Sequence, residues 1–167
     1  MAKIVRVEGL MVDLKPKVKR VDAIQSFVSQ ETPIIRITDA DGAVGTGYSY
    51  TIGTGGPAIM SLIEKTLAPA LIGREAGMIE QIWRDLLFLT HATSVGAITS
   101  LALAAIDTAL WDLKARKAAL PVHILAGGAQ AVHGGAQVGL CLRDAVGELG
   151  LTLLQIEDRL ITGLFGF

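Results

Sequence analysis

The sequence predicts an α+β domain, a three-stranded antiparallel meander followed by a bundle of three helices. Three observations carry that expectation. Apolar residues alternate with period two up to about residue 52 and then recur with a helical period of about 3.6. The first part holds a turn signature, Asp39-Ala40-Asp41-Gly42, between two β-prone runs. The second part ends in an alanine-rich stretch, Ile98–Leu113, that is apolar around much of a helical circumference.

Residues 3–14 read as a strand. Val5 and Val7 share one parity, whereas Leu10, Val12 and Leu14 share the other, so a β-bulge is expected at Glu8-Gly9. A polar loop follows, from Lys15 to about Ala23. The meander is then expected from a short strand at 26–29, a strand at 33–38 and a returning strand at 44–52, the last two joined by the Asp-Gly turn.

Thr54-Gly55-Gly56-Pro57 opens the first helix, since proline is tolerated in a first turn. Ile59, Leu62, Ile63, Leu67 and Leu71 form its apolar face; Pro69 is expected to kink or end it and Gly73 to stop it. A second helix carries Ile79, Ile82, Trp83, Leu86 and Leu87 on one side, with Glu80 and Arg84 as an i,i+4 pair on the other. The third runs from about Val95 to Ala118, is buried against more than one neighbour, and is ended by Pro121. Gly127-Gly128 marks a boundary, giving a domain over 1–128 and a divergent tail over 129–167. In the tail, Leu142, Val146, Leu149, Leu153, Ile156 and Leu160 alternate spacings of four and three, which reads as a short amphipathic helix despite Gly147 and Gly150.

Composition excludes several classes of function. The chain has 167 residues, 51% of them hydrophobic and 19% charged, enough apolar material for a packed core. The formal net charge of −1 offers no basic excess for nucleic acid or an anionic membrane. The longest basic stretch, Lys15-Pro16-Lys17-Val18-Lys19-Arg20, reads as a solvated loop, with attraction of an acidic ligand as the second reading. Cys141 is the single cysteine, so no intramolecular disulfide forms, and His91, His123 and His133 are too dispersed for a Cys/His metal site. The N-terminus lacks an apolar h-region, and Asp107 and Asp112 interrupt the most apolar stretch. A cytoplasmic protein is the expectation.

Gly53-Thr54-Gly55-Gly56-Pro57-Ala58 fits G-x-G-x-x-A between a strand and a helix, with Glu75 about 20 residues on. A dinucleotide site also needs a parallel strand after the helix, and a second helix follows instead. Two readings remain for these glycines. They let the chain turn sharply, or their N–H groups at the helix start meet an anionic substrate. A phosphate-binding G-x-x-x-x-G-K-[ST] loop is absent, and no G-x-S-x-G elbow supports Ser94, Ser100 and His91 as nucleophile and base. Asp107 and Asp112 project to different faces of one helix. Asp112 can pair with Arg116, and Asp107 is expected to bond a neighbouring backbone group or arginine rather than a metal.

Three segments together resemble the N-terminal domain of the mandelate racemase/muconate lactonizing enzyme branch of the enolase superfamily. They are the hairpin Ile35 to Tyr50, the helix segment Ala104-Ala105-Ile106-Asp107-Thr108-Ala109-Leu110-Trp111-Asp112-Leu113-Lys114-Ala115-Arg116, and its exit Leu120-Pro121-Val122-His123-Ile124-Leu125-Ala126-Gly127-Gly128. The resemblance covers residues 3–128. It implies an enolase N-terminal-like cap paired with a barrel that holds Mg2+ and removes the proton α to a carboxylate, giving racemisation, cycloisomerisation or dehydration of a carboxylic or sugar acid. It also implies two capping loops over the barrel mouth, here Lys15–Ile24 and Tyr48–Gly55. Lys19, Arg20, Tyr48, Tyr50, Thr51 and Gly53 are the residues expected there. A homo-oligomer without nucleic-acid or membrane partners is expected.

The sequence departs from the family after Gly128. A barrel needs about 200 residues or more, and 39 remain, with no lysine after Lys117. The tail acids Asp144, Glu148, Glu157 and Asp158 do not sit at the ends of successive strands. No catalytic or metal-ligating residue is therefore assigned, and truncation or a frameshift near residue 130 is the expected cause. The chain alone is expected to be an inactive cap; the alternative is a stand-alone binding or oligomerisation module.

Overall fold

A computed structural model describes residues 2–93 and 96–128. The chain divides between Val122 and His123, and the two parts are described separately. In the first, β1 (Ile4–Asp13), β4 (Glu31–Asp39) and β5 (Val44–Tyr48) form an antiparallel sheet in the order β1-β4-β5. A separate two-stranded ribbon pairs β2 (Arg20–Val21) with β3 (Ser26–Phe27). The helices are α1 (Gly56–Leu62), a π-helical turn (Ile63–Leu67), α2 (Ala68–Leu71), α3 (Ile79–Leu89) and α4 (Ala97–Ala118). The α+β class is as expected, with one exchange of strands. The run at 26–29 leaves the sheet to pair with Arg20–Val21, inside the expected polar loop, and residues 4–13 take its place.

The parity switch in β1 falls earlier than Glu8-Gly9. Its register is regular from Arg6 to Asp13, and the irregularity lies between Ile4 and Arg6. One extra residue there turns both Ile4 and Val7 toward the core and leaves Val5 exposed. Gly9 has another role. A Cβ at Gly9 would come within 2.4 Å of the Met60 side chain, so the missing side chain admits α1.

Helix α4 lies across β4 and β5 and also touches α1 and α3. Its side chains Ala102, Ala105, Ile106, Ala109, Leu110 and Leu113 are all buried, which explains why its sequence lacks one clean polar face. The approach to β5 is backbone to backbone. A Cβ on Gly47 would lie 2.1 Å from the Ala105 carbonyl oxygen, and one on Gly45 would lie 2.2 Å from that of Ala109. Small residues on both elements make this contact possible.

Pro69 acts as expected. It lies in the first turn of α2, and the turn before it widens so that the Ala68 N–H bonds the Ile63 carbonyl five residues back. Gly73, at φ +81°, stops the segment. Helix α4 ends before Pro121 is reached: Ala119 takes a left-handed φ of 52°, and its N–H bonds the carbonyls of Ala115 and Arg116. The expected Glu80–Arg84 pair does not form among the described residues, and Arg74 pairs with Asp85 instead. Asp112 pairs with Arg116 as expected, at 2.8 Å, and also accepts the Thr46 N–H of β5 at 2.8 Å. That second bond satisfies an edge-strand donor.

In the second part, residues 123–128, the His123 carbonyl accepts the Gly128 N–H at 2.7 Å. The expected tail helix at 142–160, Cys141, His133 and Ser94 lie outside the described residues.

Candidate functional site

Two loops leave the same end of the sheet. The first spans residues 15–29, between β1 and β4. Leu14 and Gln30 close its base by exchanging backbone hydrogen bonds of 2.9 and 3.0 Å. Asp13 Oδ1 accepts from the Ser29 hydroxyl at 2.5 Å and from the Gln30 N–H at 3.2 Å. Within the loop, Asp22 builds the turn of the β2–β3 ribbon: its Oδ1 accepts the Ile24 and Gln25 N–H groups, each at 2.8 Å. The Gln25 N–H, and then that of Ile24, hold the Asp22 carboxyl below the usual carboxylate range. The ribbon sets Arg20 opposite Phe27.

The second loop, residues 49–55, continues the β5 ladder before turning into α1. The Ser49 N–H bonds the Pro33 carbonyl at 3.1 Å, and the Thr51 N–H bonds that of Glu31 at 2.8 Å. Glu31 also reaches in with its side chain. Its Oε2 accepts the Thr51 hydroxyl and the Gly56 N–H, both at 2.7 Å. A Cβ on Gly56 would sit 2.7 Å from Glu31 Cβ, so glycine is required for this fit. Gly53 and Gly55, at φ +78° and +104°, make the turn.

Between the loops opens a cavity of about 400 Å³. Lys15, Lys17 and Arg20 contribute its cations, and Phe27, Tyr50 and Ile52 much of its apolar wall. No aspartate, glutamate or histidine lines it. The cavity therefore suits binding of an anion with an apolar or ring-bearing flank, and it carries no carboxylate or imidazole of its own.

Of the six residues expected from sequence, Arg20 and Tyr50 share this cavity. Lys19 and Tyr48 are exposed and do not line it; Tyr48 lies on β5 opposite Ile34. Thr51 is 8% exposed and spends its hydroxyl on Glu31. Gly53 supplies the turn. Sequence reasoning did not single out Lys15, Lys17 and Phe27. The lysines were visible in the basic stretch, but Phe27 joins them only through the ribbon pairing.

The anion-at-helix reading of Gly53–Ala58 has an internal answer, because Glu31 already occupies the Gly56 N–H. The dinucleotide reading fails on topology, since β5 is antiparallel to its neighbour. No group of three His, Cys, Asp or Glu side chains that could hold a metal exists among the described residues. The described residues thus do not fit a magnesium site. The exposed His91 directs Nδ1 to the Phe88 carbonyl, 3.0 Å away. Asp107 has no hydrogen-bond partner among the described residues, and burial raises its carboxyl above the usual range. No helix of the described residues is long and apolar enough to cross a membrane.

The family profile for the mandelate racemase / muconate lactonizing enzyme N-terminal domain matches residues 7–127. The chain is 37% identical over 131 residues to 3,6-anhydro-alpha-L-galactonate cycloisomerase from Streptomyces coelicolor, covering 78% of this chain and 35% of that protein. It is 36% identical over 118 residues to a D-mannonate dehydratase from Caulobacter vibrioides, covering 68% of this chain and 28% of that one. Its fold matches a racemase from Streptomyces coelicolor solved with bound magnesium, at TM-score 0.67 and 34% identity over 69% of this chain and 32% of that one. It also matches L-talarate dehydratase from Polaromonas sp. JS666, complexed with Mg and L-glucarate, at TM-score 0.71 and 28% identity over 76% and 35% of the two chains. The chain spans about a third of the length of the curated relatives it matches. With the sheet, the helices and the two loops in place, the chain belongs to the mandelate racemase/muconate lactonizing enzyme family of the enolase superfamily, and residues 7–127 are its N-terminal domain.

Proposed function

We propose that residues 1–128 act as the substrate cap of a magnesium-dependent racemase, cycloisomerase or dehydratase of carboxylic or sugar acids, with the barrel lying outside the described residues. The observation that carries this reading is the cavity walled by both capping loops and holding three cations without an acid. A lid of this kind binds the parts of the substrate that do not react, orients them and keeps water from the reacting centre. Arg20, Lys15 and Lys17 draw in the anion, and Tyr50 and Phe27 flank it. Magnesium supplies enolate stabilisation in this chemistry. The described residues do not form its site, so their part is confined to binding and enclosure.

Assembly into a homo-oligomer is part of the same reading. Trp83, Phe88 and Leu89 of α3 are 44%, 67% and 51% exposed, a surface that favours association. A second reading, a stand-alone binding module, is favoured by one fact: the cavity is formed wholly within residues 14–52.

Proton exchange distinguishes the two. Residues 1–128 are grafted onto the barrel of the Streptomyces coelicolor cycloisomerase in place of its own N-terminal domain. The graft is expected to exchange the α-proton of a sugar acid with solvent deuterium in a magnesium-dependent way, and the present chain alone to exchange none. A soluble, folded graft that exchanges no proton from any acid tested, or chelator-sensitive exchange by the chain alone, overturns the proposal.

A further inference from the structure

We infer that the outer face of α4 is where two copies of this chain dimerise, the two helices crossing antiparallel so that Asp107 of each copy pairs with Lys114 of the other. The inference rests on the homo-oligomer reading above and assigns it a face. Along α4, Ala104, Asp107, Trp111, Lys114 and Ala118 recur at spacings of three and four, so they line one side of the helix. The opposite side, with Ala102, Ala105 and Ala109, is buried. On the outer side Ala104 and Ala118 are exposed, and Asp107, Trp111 and Lys114 are half-buried. Trp83 of α3 adjoins this stripe, because Trp83 and Asp107 line one cleft between the two helices. Both tryptophans of the chain therefore flank Asp107. Tryptophan is among the side chains most enriched where interfaces concentrate their binding energy.

The charges say what covers the stripe. The other charged residues of α4 are engaged within the fold. Asp112 accepts from Arg116 and from the Thr46 N–H, and Lys117 holds Asp39 and Asp41. Asp107 and Lys114 are left over. Asp107 has no hydrogen-bond or ion-pair partner among the described residues, although burial raises its carboxyl. The Lys114 ammonium lies over the Trp111 ring, 5.1 Å from its centroid, with no carboxylate paired to it among the described residues. Two helical turns, about 10 Å along the axis, keep the two from pairing within one helix.

A second copy meets both needs. In a two-fold dimer each surface faces the same surface reversed. With α4 antiparallel to its copy and the axis beside Trp111, Asp107 faces Lys114 of the second copy and Lys114 faces its Asp107. Ala104 then faces Ala118, where small side chains let the helices approach, and the two Trp111 rings meet near the axis. A different protein would have to bring the same two charges at the same spacing in reverse order. A second copy carries them already. In the single chain Asp107 bears its desolvation cost without a partner, so asparagine there relieves it. In the dimer the same change removes two ion pairs.

The test is sedimentation velocity of the full chain at neutral pH from about 1 to 200 µM, with tryptophan emission read on the same samples. A reversible dimer with a midpoint of about 10 µM is expected, the strength of a small interface, with emission moving to the blue as the tryptophans lose water. Asp107→Lys and Lys114→Asp should each weaken the dimer at least about tenfold, because like charges then face each other twice. An equimolar mixture of the two variants should recover a heterodimer, in which both facing pairs are again opposite in sign. Misfolded variants would not recover it. Variants that dimerise as well as the parent chain, or a mixture that stays monomeric, overturn the inference and leave the homo-oligomer reading standing. A parent chain that is monomeric across the whole range overturns both.

Discussion

The Lys117 ammonium, in the last turn of α4, lies 2.5 Å from Oδ2 of Asp39, at the end of β4, across 78 residues of sequence. Asp39 is 1% exposed. Its other oxygen accepts the Asp41 and Ala43 N–H groups at 3.0 Å each, so one carboxylate shapes the hairpin turn and ties the sheet to the helix. Lys117 also reaches Asp41 at 2.5 Å.

This clasp makes stability depend on pH at both extremes. Burial pushes the Asp39 carboxyl up, but the Lys117 hydrogen bond and the two turn N–H groups outweigh it and hold the carboxyl below its usual range. The folded value being depressed, its contribution is present above the unfolded value of about 3.9 and is lost as pH falls through the folded one. The Asp39 and Asp41 hydrogen bonds raise the Lys117 ammonium, so its contribution is full below about 10.4 and is lost as pH rises through the higher folded value. Asp39→Asn should cost about 2 kcal/mol at neutral pH, the scale of a charge-assisted bond, and flatten the loss of stability below about pH 4. Urea melts from pH 2 to 7 check both.

Gly47→Ala should be among the most damaging single changes, because its Cβ would meet the Ala105 carbonyl and the Ala109 nitrogen, both backbone atoms. A loss of about 3 kcal/mol or more is expected. Gly42→Ala meets nothing and bears only its left-handed backbone cost, about 1–2 kcal/mol. Comparable thermal melts of the two variants would contradict the close packing of β5 on α4.

Ala119→Gly should stabilise the chain by about 1 kcal/mol. Ala119 holds the left-handed position that ends α4, where glycine carries no steric penalty. A lower melting temperature for this variant would contradict that account.

Glu31→Ala should speed hydrogen exchange at the Gly56 amide, which loses its acceptor, while the β4 amides from Ile35 to Ile37 keep their protection. Stability should fall by about 2 kcal/mol through the two lost side-chain bonds. Uniformly faster exchange across β4 would show that Glu31 supports the whole sheet rather than the second loop.

Asp107→Asn should raise the melting temperature at pH 7. Burial raises the Asp107 carboxyl, so the charged form is disfavoured in the fold. That penalty is full above the folded value and vanishes as pH falls below the unfolded one, so the gain should shrink toward zero in acid. A gain that persists at pH 3 would point to packing instead.

Much of the architecture was legible from sequence because it rests on local chemistry. The Asp-Gly turn after β4, the proline in the first turn of α1, Pro69 and the Asp112–Arg116 pair all act within a few residues of themselves. Readings that needed a partner distant in sequence fared differently. The bulge was expected at Gly9, yet Gly9 is small to admit Met60. The run at 26–29 has strand character, but its partner is Arg20–Val21 and not the sheet. Thr51, expected on a capping loop, also bonds Glu31 through its hydroxyl, a partner 20 residues away that the sequence did not announce.

By itself, then, the sequence determined the α+β class, the order of the main elements and the family. Periodicity, turn chemistry and motif order are written along the chain and need no third dimension. Only the tertiary structure decided which strand completes the sheet, why Gly45 and Gly47 are glycines, and which loop residues face one cavity. Those outcomes depend on which backbone comes within van der Waals distance of which, and side chains such as Arg20, Phe27 and Tyr50 become neighbours only when the ribbon and the β5 ladder are both formed.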